Sequence, residues 1–114
     1  MQLSFVYVPV TDLAEALALY RDLLGFEQVW QEGEFVAGLD IPDSDVQIML
    51  EQDPTEVGKP GPIFVVDSVD AFYAEHAEEM AFVVVPQDIP PGRYAAFDDP
   101  SGNRVRILDT SKEP

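Results

Sequence analysis

Apolar and polar positions along this chain follow two rhythms, one of period two and one near 3.6, and the pair occurs twice. Residues 3–10 are β-branched and aromatic and stop at Thr11 and Asp12, after which Leu13, Ala16, Leu17, Tyr20 and Leu24 recur at helical spacing. The spacing predicts a strand feeding a helix over residues 13–24. Asp12 is placed to accept from the first free backbone amides, with Glu15 completing a variant of the capping box, and Gly25 supplies the left-handed residue that ends the helix. Short apolar runs at 27–31, 34–40 and 46–51, separated by Glu32-Gly33 and by Pro42-Asp43-Ser44-Asp45, read as a meander of three strands.

The same order returns half a chain later. A strand at 62–66 leads through Ser68, an N-cap by residue type, into a helix over 69–80 carrying Val69, Phe72, Tyr73, His76 and Met80 on one face. Strands follow at 82–85, closed by Pro86, at 93–97, and after the turn Asp99-Pro100-Ser101-Gly102-Asn103. The last strand, Val105-Arg106-Ile107-Leu108-Asp109, repeats the apolar-polar onset and acidic end of Val46-Gln47-Ile48-Met49-Leu50-Glu51. Matched offsets near half the length predict a duplicated unit. Residues 1–114 are expected to form one domain, with module one at 1–52, a linker rich in turn formers at 53–60 and module two at 61–114.

Composition narrows the picture. With 114 residues, 46% of them hydrophobic, the chain is long enough for a single core. No stretch reaches the roughly eighteen apolar residues of a membrane span, and no basic segment precedes the first apolar run, so a soluble, cytoplasmic protein without membrane association is expected. Cysteine is absent, which removes disulfides, thiolate nucleophiles and thiolate metal sites together. A net charge of −16, from 22 acidic and 6 basic residues, argues against nucleic acid and favours cationic guests. Adaptation to salt is the alternative source of such an excess, since Lys59 and Lys112 are the only lysines.

Three stretches resemble the vicinal oxygen chelate superfamily, which includes glyoxalase I, extradiol dioxygenases, fosfomycin-modifying enzymes and bleomycin-binding resistance proteins. They are Phe5-Val6-Tyr7-Val8-Pro9-Val10-Thr11-Asp12 leading into Tyr20-Arg21-Asp22-Leu23-Leu24-Gly25-Phe26, then Val66-Asp67-Ser68-Val69-Asp70, and Phe97-Asp98-Asp99-Pro100-Ser101-Gly102-Asn103. The resemblance implies an α+β fold in which two βαβββ modules form a cupped mixed sheet, commonly as a homodimer, with a ligand in the concave face. It also implies metal-ligand positions, usually His or Glu, at Phe5, at Gln47, at Gly61 or Pro62, and at Arg106. None of these is a His or a carboxylate. A phenyl ring and a glycine have no lone pair to offer, an amide oxygen is a weak ligand and a guanidinium repels a divalent ion. With a single His in the chain, a site of two His and one carboxylate cannot be assembled from one copy, so no metal and no cofactor are expected. The acidic runs at Asp98-Asp99 and at Asp40, Asp43 and Asp45 lack the spacing of a calcium loop.

Strand alternation supplies a candidate site. If Val6, Val8 and Val10 face the helix, then Phe5 and Tyr7 face the other way, with Gln47, Met49 and Glu51 on the fourth strand and Arg104, Arg106 and Leu108 on the last. Trp30, Phe35 and Tyr94 would add aromatic area. Phe5, Tyr7, Trp30, Phe35, Gln47, Met49, Tyr94 and Arg106 are therefore the expected ligand-binding residues, apolar area with a few polar anchors. Filling of the interior or a dimer contact is the competing role for the same side chains. Arg106 is either tied to Glu51 or another carboxylate, or left to favour an anionic group. His76 falls on the helix stripe that packs on the sheet, so a structural role is expected of it, and no serine sits in a nucleophile elbow.

Pro9, Asp70 with Tyr73-Ala74-Glu75, and Pro91-Gly92-Arg93 extend the resemblance to metal-free bleomycin-resistance binders, which implies a homodimer, with or without exchange of its N-terminal strand. The expected function is metal-independent binding of a small molecule, sequestering an aromatic or cationic compound. Two rivals stand beside it. One is a metal-free glyoxalase-like isomerase or lyase using Arg106 and Tyr7, and the other is a regulatory or assembly role with the concave face closed.

Overall fold

The computed structural model describes residues 1–52 and 58–113, so most of the predicted linker, residues 53–57, lies outside the described residues. The chain divides into two compact units, Ser4–Pro60 and Gly61–Pro114, the latter taking in Met1–Leu3.

The first unit carries β1 (Gln2–Val10, from Ser4 onward), α1 (Leu13–Leu17), β2 (Glu27–Glu32), β3 (Val36–Asp40) and β4 (Gln47–Gln52). Its strands run in the order β2-β3-β4-β1, with β1 parallel to β4 and the other pairs antiparallel. The second unit repeats this with β5 (Gly61–Val65), α2 (Val69–His76), β6 (Ala81–Ile89), β7 (Gly92–Asp98) and β8 (Arg104–Leu108), ordered β5-β8-β7-β6 with β5 parallel to β8. Each unit is thus a βαβββ module, and the chain is α+β as the resemblance implies.

Both helix starts follow their caps. Asp12 accepts the backbone N–H of Glu15 at 3.0 Å, and Ser68 accepts that of Ala71 at 3.1 Å. The predicted helix over 13–24 is not uniform. After Leu17 it widens into a π-helical segment, Ala18–Leu23, marked by Leu24 N–H donating to the Leu19 carbonyl at 2.9 Å, before Gly25 ends it at φ 80. The second helix stops at His76 rather than residue 80.

The strand predicted to close at Pro86 instead runs on to Ile89. β6 lies at one end of its unit's strand order, where a missing N–H breaks no ladder on the outer side, and the register with β7 shifts between Val84 and Gln87 to absorb the proline.

Alternation sorts each sheet into two faces. In the first unit Leu39, Ala37, Ile48 and Leu50 pack with Leu13 and Leu17, joined by Val8 and Val10, as the parity of β1 requires. The second unit gathers Val66, Val69, Ala95, Phe97 and Ile107 with Phe72, Phe82 and Met80. His76 leans on Phe72 with ring centroids 4.7 Å apart, as expected of a helix-stripe residue. No helix among the described residues is long and apolar enough to cross a membrane.

Candidate functional site

The first unit's face opposite α1 is built from three transverse rows fixed by strand register. Phe5, Gln47 and Asp40 form one; Tyr7, Met49, Gly38 and Trp30 the next; Pro9, Glu51 and Val36 the third. Trp30 reaches this face through a bulge in β2. Gln28 pairs with Leu39 while Trp30 pairs with Gly38, so Val29 is the extra residue and the parity of β2 switches there.

The indole is fixed by polar and apolar partners together. Trp30 Nε1 donates to Gln47 Oε1 at 2.8 Å, and Gln47 Nε2 donates to Asp40 Oδ1 at 2.9 Å. The Phe5 ring stands nearly perpendicular to the indole, at 88° with centroids 6.2 Å apart. Phe5, Trp30, Gln47 and Met49 are half-buried and Asp40 is exposed, so the face offers aromatic area with a carboxylate at its rim. Beside it an open groove of about 560 Å³ runs along β2, lined by Arg21, Glu27, Gln28, Val29, Trp30 and Gln31. The Arg21 charge is already engaged there, with Asp22 at 2.9 Å and Gln28 at 2.7 Å.

Tyr7 is buried in the second row, and its hydroxyl donates to the Glu51 carboxylate. Phe35 departs from the expectation. It sits in the turn between β2 and β3, 48% exposed, because the strand predicted to begin at residue 34 starts only at Val36.

Tyr94 and Arg106 belong to the second unit. There Tyr94 pairs with Leu108 and Ala96 with Arg106, which gives the two side chains the same parity on that sheet. Arg106 is only 1% exposed, so its guanidinium is a buried charge rather than a surface anchor. Neighbouring Arg104 is held by Asp98 through contacts of 2.7 and 3.3 Å. The structure therefore brings together Phe5, Tyr7, Trp30, Gln47 and Met49, sets Phe35 apart in a turn, and places Tyr94 and Arg106 on the other unit.

Sequence reasoning gave Gly38 no part and met Asp40 only in an acidic run without calcium-loop spacing. The Trp30 indole lies against Gly38, where an added Cβ would overlap its Cε2, Nε1 and Cζ2; a lone glycine inside the apolar run of β3 was the available signal for that close approach, since strands otherwise lose stability at such a position.

The metal positions implied by the resemblance do not fit a metal. Arg106 pairs with Ile63, three residues before Val66, just as Met49 pairs with Tyr7, three before Val10, so register moves the fourth-strand position from Gln47 to Met49. A thioether is a poor ligand for a hard divalent ion, and the Gln47 oxygen is occupied by the Trp30 N–H. At Gly61 any Cβ would run into the Arg104 carbonyl, and Arg106 brings a positive charge. Among the described residues no group of three or more His, Cys, Asp or Glu is placed to hold a metal ion.

With this geometry in hand, comparison with known proteins gives a family. Residues 2–107 match the model of the Glyoxalase/Bleomycin resistance protein/Dioxygenase superfamily. The chain belongs to this superfamily. Solved structures share its fold. A variant of the Streptomyces coelicolor methylmalonyl-CoA epimerase, in complex with 2-nitronate-propionyl-CoA, is 21% identical, with 97% of this chain and 95% of that one covered at a TM-score of 0.75. A glyoxalase/bleomycin resistance protein/dioxygenase superfamily member from Vibrio splendidus 12B01 is 18% identical, covering 92% and 96% at a TM-score of 0.70. A Legionella pneumophila protein described as an NAD-dependent benzaldehyde dehydrogenase is 20% identical, covering 93% and 97% at 0.76. At these identities the likeness carries the fold and no activity. A comparison with curated proteins finds no match.

Proposed function

We propose that this superfamily member is a metal-independent small-molecule-binding protein that sequesters an aromatic or cationic compound on the first unit's sheet face opposite α1. The observation that carries the reading is the Trp30–Gln47–Asp40 chain, which fixes an indole beside Phe5 and ends on an exposed carboxylate. Aromatic area supplies affinity and the sparse polar groups orient the guest. A net charge of −16 draws cations toward the surface. Phe5, Tyr7, Trp30, Gln47 and Met49 are the residues assigned to it, in a homodimer whose stoichiometry sedimentation velocity would test.

The test is a thermal-shift screen of aromatic and cationic compounds against the wild type and Trp30→Ala. A guest that raises the wild-type melting temperature and leaves the variant unmoved supports the proposal. A silent screen on a folded protein counts against it.

One observation favours a second reading. The buried Tyr7 hydroxyl bonded to Glu51 is a phenol–carboxylate pair able to pass a proton to a bound carbonyl compound, as an isomerase or lyase would require. Arg106, the other residue of that reading, is buried on the second unit. Turnover abolished in a folded Tyr7→Phe variant, once turnover is found, would favour catalysis over sequestration.

A further inference from the structure

We infer that the π-helical segment after α1 builds a second binding surface, an exposed leucine ridge that docks a short basic amphipathic helix of a partner protein. The ridge lies on the helix side of the first unit, away from the sheet face opposite α1, and the inference does not depend on how that face is read.

Leu19, Leu23 and Leu24 are 46%, 79% and 54% exposed. Exposed leucines scattered singly need no explanation, whereas a contiguous apolar patch marks an interaction surface. The helix geometry makes these three contiguous. In an ordinary helix a residue five positions on is turned about 140° around the axis, which would send Leu24 to a different face from Leu19. Here Leu24 N–H donates to the Leu19 carbonyl at 2.9 Å, the bond of a widened turn, so Leu24 sits one turn above Leu19 and beside Leu23. Leu13 and Leu17 before the segment, with half-buried Tyr20, already supply the contacts to the core. The three leucines are thus apolar surface beyond what the fold uses, and widened turns recur at functional sites.

The charge around the ridge names its occupant. Residues 11–34 carry Asp12, Glu15, Asp22, Glu27, Glu32 and Glu34 against Arg21 alone, and the Arg21 charge is tied to Asp22 at 2.9 Å. Glu15, exposed and four residues before Leu19, stands at the start of the same ridge. A second copy would set like charge against like, and a net charge of −16 repels an anionic membrane. A helix with apolar residues at i, i+3 and i+4 and lysine or arginine on its flanks complements both the leucines and the carboxylates. Three side chains also fall far short of the roughly 800 Å² per partner of a standard interface, which suits a short helix rather than a globular face.

The probe is a peptide of leucine and lysine, about fourteen residues or roughly four turns long, with its leucines on one face. Its controls are a scrambled peptide of identical composition and a version with glutamate in place of lysine. Methyl NMR of the leucine-labelled full chain follows each titration. The amphipathic basic peptide is expected to shift the Leu19, Leu23 and Leu24 signals and to bind at least tenfold more tightly than either control. Leu23→Ser combined with Leu24→Ser, checked for folding by circular dichroism, is expected to lose at least tenfold in that affinity. Should the double variant fail to fold, Leu23→Ser alone decides, since that side chain is the most exposed of the three. Equal binding of the scrambled peptide reduces the effect to bulk charge and overturns the inference. A folded variant that retains the peptide, or signal shifts confined to other residues, overturns it as well. Sedimentation velocity showing that the substitution turns a wild-type dimer into a monomer would assign the ridge to a second copy instead. Loss, in the variant, of wild-type binding to phosphatidylcholine vesicles would assign it to a lipid surface. Either of these last two results also overturns the inference, and none of the outcomes bears on guest binding at the opposite face.

Discussion

The Asp109 carboxylate accepts the backbone N–H of Val69 at 2.8 Å across 40 residues of chain, which ties the end of β8 to the first turn of α2. The same carboxylate accepts from Arg93 N–H at 2.9 Å and from the Ser111 N–H and hydroxyl at 3.1 and 2.7 Å. Gly92 leaves the room it needs, since a Cβ there would strike the Asp109 side chain. Burial pushes this carboxyl up, but the donors from Val69, Ser111 and Arg93 outweigh it and hold the group below the usual carboxylate range.

Asp109→Asn is expected to cost about 2–3 kcal/mol, because hydrogen bonds to a charged acceptor are replaced by an amide that also brings two unwanted donors. The pH dependence has a definite sign. A carboxyl near 3.9 when unfolded and lower when folded stabilises the protein above about pH 4, and that contribution is lost as the pH falls through the folded value. Urea midpoints between pH 3 and 7 should therefore fall more steeply toward acid in the wild type than in the variant.

The Arg104–Asp98 pair is buried on the arginine side, with side chains 7% and 20% exposed. Asp98→Ala leaves a guanidinium without that partner in a low-dielectric site, and a loss of about 3 kcal/mol is expected. Equilibrium unfolding in urea would measure it. A loss below about 1 kcal/mol would mean that the charge finds other solvation.

Gln47→Leu cuts the link between Trp30 and Asp40 while preserving volume. The expected loss of stability is about 1–2 kcal/mol, with one N–H left unsatisfied on a half-buried ring. Trp30 emission anisotropy should fall as the indole gains freedom, and an unchanged anisotropy would show that Gly38 and Phe5 hold the ring without the amide.

Phe35→Ala should change stability by less than about 0.5 kcal/mol, because the ring is an exposed turn residue, and should leave any guest's affinity within about twofold. Calorimetric titration of the variant checks this. A large loss would place Phe35 at the guest after all.

How far the sequence could be read depended on the range of each interaction. Caps act over three residues, and Asp12 and Ser68 proved to be the predicted ones. Parity along one strand was equally legible, so Val8 and Val10 fell on the helix side and Phe5 with Tyr7 on the other. The partnership of Trp30 with Gln47 spans 17 residues and depends on a bulge at Val29, which no local rhythm announces. Pro86 misled for a related reason. Whether a proline ends a strand depends on which side of the sheet its missing N–H faces, a property of topology. The π-helical turn after Leu17 likewise kept the apolar spacing of an ordinary helix.

The central claim is that a small organic guest binds without metal. Isothermal titration calorimetry of chelator-treated protein with a guest from the screen, repeated after adding zinc or cobalt, tests it most directly. The account predicts the same affinity and stoichiometry in both titrations, with no stabilisation by the metal alone. Binding that appears only once metal is restored would contradict it.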